Sequence, residues 1–135
     1  ALLVPLLGCD FEPETSDADI VVIRRETVQA YLADAENPTV LVDVRPARQF
    51  REGHIPGAVN IPLPDIYAGD PRLAEARRII VYANGWSDVL SPAAAKRLIV
   101  LGYQQVYDFR GGVEQWTYDG LGLVTTEPPP AEPRP

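Results

Sequence analysis

The sequence predicts an α/β domain built on an open, mostly parallel sheet of five short strands, with helices on both faces. Five short runs rich in β-branched and aromatic residues alternate with segments of helical spacing. The two most apolar runs, Val40–Val44 and Ile79–Tyr82, lack the in–out alternation of a sheet wetted on one side. Helix-start and helix-stop residues fall between the runs, as they do in alternating β/α folds.

Taken in order, Ile20–Ile23 is a short β-rich run, and Val28, Tyr31 and Leu32 give helical spacing over Glu26–Ala33 before Asn37-Pro38 breaks the pattern. Val40–Val44, apolar apart from Asp43, is the second strand. Pro46–Arg51 is a short helix with proline in its first turn, where a missing N–H costs nothing. Gly53–Gly57 turns the chain into a third strand, Ala58–Ile61, and Pro71–Ala76 allows another short helix. Ile79–Tyr82 is the fourth strand. Ser91-Pro92 is the expected N-cap and first position of a helix that runs to Gly102, a left-handed stop. Val106–Phe109 is the fifth strand, and Gly111-Gly112 leads into a last helix containing Trp116. In such sheets ligands bind outside the carboxyl ends of the strands, which places residues 83–91 at the expected site.

The 135 residues suit one domain, expected at 18–124. A net charge of −7 excludes the clustered basic surface that nucleic acid selects and disfavours phosphate-rich partners. One cysteine, Cys9, and one histidine, His54, exclude a disulfide, a CxxC pair and a Cys- or His-rich metal site; no cofactor is implied. The absence of methionine leads to the expectation of a mature or trimmed form. Ala1–Gly8 reads as the end of a signal-peptide h-region, and Leu6-Leu7-Gly8-Cys9 resembles a bacterial lipobox, with Leu7 larger than usual. A lipid on Cys9 would hold the chain at the bacterial cell envelope, and Asp10 resembles an inner-membrane retention signal. Residues 1–17 are thus remnant, lipobox and acidic spacer, while residues 125–135, with five prolines, are an extended, disordered tail.

The segment LVDVRPARQFREGHIPGAVNIPL, with Asp43, Arg45, Phe50, Gly53, His54, Ile55, Pro56, Gly57, Ala58 and Asn60, resembles the N-terminal signature of the rhodanese-like, or thiosulfate sulfurtransferase, domain. The later run IIVY, a loop, a Ser-containing helix start and LGYQQVYDFRGGVEQW resembles its second half. The resemblance implies a cysteine directly after the fourth strand, carrying a persulfide within a cradle of loop N–H groups and the positive end of the next helix. Here that position is Ala83, and the ligand or partner loop Ala83, Asn84, Gly85, Trp86, Ser87, Asp88, Val89, Leu90 and Ser91 holds no thiol. Sulfur transfer by the usual route is therefore excluded. The loop is also longer than the sulfurtransferase type and lacks its arginine. Asp88 adds negative charge where an anion would dock.

Ser87 and Ser91 are the loop's only hydroxyls, and neither has an evident base, because His54 lies in the HIPG turn that the family uses structurally. Asp43 and Arg45, which flank the pocket, are read as a strand-end carboxylate paired with an arginine or with loop N–H groups, rather than as acid and anion clamp. Arg110 is either the pocket's cation or a solvated loop residue. Trp86 is either an exposed binding anchor or a filler of the space that the cysteine would occupy. The expected function is a non-catalytic binding or regulatory module, tethered through Cys9, that takes a protein partner or a small anion at the 83–91 loop. Two alternatives remain: an enzyme with a non-cysteine site, and a structural subunit of a membrane complex whose PPP tail docks in an aromatic groove.

Overall fold

In the computed structural model, which describes residues 15–126, strands β1 (Val21–Val22), β2 (Thr39–Asp43), β3 (Val59–Asn60), β4 (Arg78–Tyr82) and β5 (Val106–Asp108) form one parallel sheet ordered β1-β5-β4-β2-β3. The lipobox at Cys9, the first part of the acidic spacer and the Pro-rich tail from residue 127 lie outside the described residues.

The sheet is covered on both sides because consecutive residues of its central strands point to opposite cores. In β4, Ile79 and Val81 join Val42, Ala94, Ala95 and Leu98 on one face. Ile80 and Tyr82 join Leu41, Val28, Phe109 and Trp116 on the other. Helix α3 (Leu90–Val100) therefore packs on the first face, and α1 (Arg25–Ala33) and α4 (Gly112–Tyr118) on the second. The helix after β4 thus crosses to one face, whereas the helix after the adjacent β5 crosses to the other. The carboxyl ends of these strands open there into a crevice, the place where α/β sheets accommodate ligands.

Helix α2 (Ala47–Glu52) is short, and Pro46 lies one position before its first residue instead of inside its first turn. Residues 71–76 form only a single 3-10 turn, Pro71–Leu73, because the Asp70 side chain accepts the Arg72 N–H and closes the turn locally. Ser91 is not the N-cap of α3. The helix starts two residues earlier, at Leu90 with Val89 before it, and Asp88 Oδ1 accepts the Leu90 N–H at 3.0 Å to begin the turn. Gly102, with φ of +90°, ends α3 in the left-handed region as its position predicts. At the carboxyl end of the domain, Val124 bridges His54, and the Thr126 N–H donates to Arg51 O.

Candidate functional site

The 83–91 loop is braced from below before it presents anything to solvent. Ala83 is buried, and its carbonyl accepts the Val113 N–H while the Asn84 carbonyl accepts the Glu114 N–H, so the start of α4 holds the first turn of the loop. This close approach explains the glycine pair. A Cβ on Gly112, whose φ is +57°, would overlap the Ala83 carbonyl oxygen. A Cβ on Gly85 would overlap the Glu114 carboxylate.

Asn84 ties the loop to the elements around it. Its Oδ1 accepts from Arg45 Nη1 at 3.3 Å, and its Nδ2 donates to Gln49 at 3.2 Å and to Asp88 Oδ2 at 2.9 Å. The same Asp88 oxygen accepts the Asn84 backbone N–H at 3.1 Å, and the other accepts from Leu90. A carboxylate belonging to the loop is therefore bound by the loop's own N–H groups and the first N–H of α3. That is the position in which a helix start and a tight loop favour an anion.

Asp43 and Arg45 form a closed structural unit. Arg45 Nη2 donates to Asp43 Oδ2 at 2.7 Å and to the Gly53 carbonyl at 2.6 Å, and Arg45 Nε and its backbone N–H bind Asp43 Oδ1. Both residues are buried. Burial opposes the arginine's charge, but the Asp43 carboxylate more than offsets it, so the guanidinium is held above its ordinary range. Asn60 closes the unit by donating to the Asp43 and Arg45 carbonyls. His54 stacks on Phe50, and its Nδ1 lies 2.9 Å from the Phe50 carbonyl, in the turn between α2 and β3.

Arg110 lies elsewhere. It lines a hollow on the α3 side with Trp86, Val89, Pro92, Ala93 and Lys96, whereas Arg45 lines a shallower one with Gln49, Gly53 and Asn84. The two arginines thus serve different hollows. Arg110 Nε donates to Oδ2 of Asp108 at 2.9 Å, and Asp108 is fully buried. The sequence marks Asp108 only as part of the fifth strand; the Asp-x-Arg spacing that Asp108–Arg110 shares with Asp43–Arg45 is the available signal. Burial pushes the Asp108 carboxyl above its ordinary value, partly offset by the Arg110 guanidinium. Ser91 Oγ and Asp108 Oδ1 are buried with no hydrogen-bond partner among the described residues.

Trp86 is 60% exposed, so it does not fold down into the space beside Ala83. It stands at the crest of the loop and borders the Arg110 hollow, a second hollow against Ile23, Phe109 and Gln115, and a third shared with Glu114 and Tyr118. Among the described residues, no three His, Cys, Asp or Glu side chains converge as a metal site.

A parallel five-stranded sheet with its cleft at the β2, β4 and β5 ends defines a class of α/β domain, and the comparisons with known proteins give the family within it. The family profile for the rhodanese-like domain matches residues 25–119, and the chain belongs to that family. It is 31% identical over 105 residues to a sulfurtransferase of Allochromatium vinosum, covering 78% of this chain and 95% of that protein. It is 32% identical over 127 residues to YibN of Escherichia coli, an uncharacterised protein, covering 92% of this chain and 85% of YibN. Among solved structures it is similar to the BH2092 protein of Bacillus halodurans, with a TM-score of 0.70 and 27% identity over 78% of this chain and 77% of that one.

Proposed function

We propose that this rhodanese-like domain is a non-catalytic binding module that engages its partner or ligand through the exposed face of the 83–91 loop. One observation carries the reading: at Ala83 the family resemblance implies a persulfide-bearing cysteine, yet this chain has no thiol there, and the loop's own Asp88 carboxylate occupies the Asn84 and Leu90 N–H groups and the Asn84 side-chain amide. A persulfide chemistry needs a thiolate in that cradle, and this chain supplies no sulfur there while placing a fixed carboxylate beside it. The loop instead presents Trp86 on a turn whose residues 83–85 are braced from below by α4 and Asp88, and an exposed aromatic on a braced loop is a favourable binding anchor. On the same reading, a lipid on Cys9 tethers the domain to the bacterial cell envelope, with the acidic segment before Ser16 as spacer.

Two assays test this. The chain and its Cys9→Ser variant are expected to transfer no sulfur from thiosulfate to cyanide; turnover that survives Cys9→Ser overturns the proposal. For the tether, mass spectrometry of the protein purified from a bacterial membrane fraction is expected to show acylated Cys9. A free Cys9 thiol in that sample sinks the tether and leaves the binding reading standing.

A further inference from the structure

The hollow between Trp86 and Lys96 has the composition of a small-molecule site. It is an open hollow of about 530 Å3, a volume within the roughly 300–1,000 Å3 typical of such sites. Its walls are the Trp86 ring, Val89, Pro92 and Ala93, and its cations are Arg110 and Lys96. Arg110 is a prepared clamp. Buried Asp108 fixes its Nε at 2.9 Å, while Nη1 and Nη2 make no hydrogen bond among the described residues and the side chain is 26% exposed. A guanidinium anchored from behind presents two parallel N–H donors at its outer end, the geometry that matches a carboxylate or sulfonate.

Neither carboxylate of the lining hydrogen-bonds this clamp, although Asp17 is close enough to feel the Arg110 charge. Asp88 is turned into the loop against three N–H donors, and Asp17 pairs with Lys96. Inorganic oxyanions leave the apolar walls unused. From this arrangement we infer that the hollow binds a small organic anion with a flat apolar body, its charged end on the Arg110 terminal nitrogens and its ring against Trp86. This rests on the binding-module reading and names the ligand class for it.

The test is calorimetric titration of the whole chain with 2-naphthoate, its neutral isostere 2-naphthamide, and sulfate. Saturable binding of naphthoate is expected, with the amide and sulfate each at least about tenfold weaker, because a charge-assisted pair of hydrogen bonds is worth that much. Arg110→Gln is expected to weaken naphthoate about tenfold or more, and Trp86→Ala about two- to tenfold. Asp17→Asn, which releases Lys96, is expected to tighten it about two- to fivefold. In the NMR spectrum the Trp86 indole N–H shifts on binding. That of Trp116, which donates to Gly122 O at 3.0 Å, stays in place.

Equal affinity for naphthoate and its amide overturns the proposal, as does an Arg110→Gln variant that binds like the parent. Should that variant fail to fold, the acid–amide comparison on the unaltered chain still decides. No binding of naphthoate by a chain inert to thiosulfate removes only the anion site. Thiosulfate turnover removes the parent reading, whatever naphthoate does.

Discussion

Two aspartate–arginine pairs stand at the carboxyl ends of β2 and β5, on either side of β4, and their consequences differ because of what lies behind each. Arg45 is buried with Asp43 and spends its donors on that carboxylate, the Gly53 carbonyl and Asn84. Replacing it by methionine keeps the packing but leaves a fully buried carboxylate without its counter-charge, a loss of about 3–5 kcal/mol. Urea denaturation of Arg45→Met is the check, and a change under about 1 kcal/mol would mean that water reaches Asp43. Asp88 is a milder case, since the groups it binds are only partly buried. Asp88→Ala is expected to cost about 1–2 kcal/mol, in the range of a lost cap. It is also expected to speed amide exchange at Asn84 and Leu90; unchanged exchange at both would show that the carboxylate does not hold the loop.

At the scale of the elements, the contact between the 83–85 turn and the start of α4 decides where the loop sits. Gly112 and Gly120 allow a controlled comparison, because both have positive φ, +57° and +82°, yet only Gly112 faces a neighbouring backbone. Gly120→Ala meets open space and is expected to cost about 1–2 kcal/mol for its conformation alone. Gly112→Ala adds an overlap with the Ala83 carbonyl and is expected to cost roughly 1–3 kcal/mol more. Equal melting shifts for the two would show that α4 moves away without penalty. Much of this level was legible in the sequence. The strands of β2 and β4 declared themselves through runs with no polar face, and Gly102 through its place after the last apolar turn. The start of α3 did not, because Ser91-Pro92 is a good cap by local chemistry, whereas Asp88, three residues before Ser91, turns the chain first by accepting the Leu90 N–H. The loop's separation of Arg45 from Arg110 was equally hidden. It depends on the helices after β4 and β5 leaving toward opposite faces, which no local pattern encodes.

For the molecule as a whole, the charge anchoring Arg110 is held at a cost in stability, and that cost has a pH signature. The Asp70 carboxyl is held below its ordinary value of 3.8 by the Arg72 side chain and N–H, and that of Asp34 by Asn37 and Arg78. Their contributions are present above that value and lost as pH falls through their lower native values. Asp108 runs the other way. Burial raises it above 3.8, so the native state binds the proton more tightly than the unfolded chain. Its contribution is complete below 3.8 and lost as pH rises through the native value. Once ionised, Asp108 is a desolvated carboxylate whose benefit is an oriented arginine at the hollow. Such trades of stability for a prepared site are common. Asp108→Asn removes the titration. Unfolding free energies of parent and variant, measured in urea from about pH 3 to 7, should differ by an amount that moves against the parent as pH rises above about 4. The difference should level off once Asp108 is ionised in the native state. A constant difference across that range would mean that Asp108 titrates alike folded and unfolded, and that orienting Arg110 costs the fold nothing.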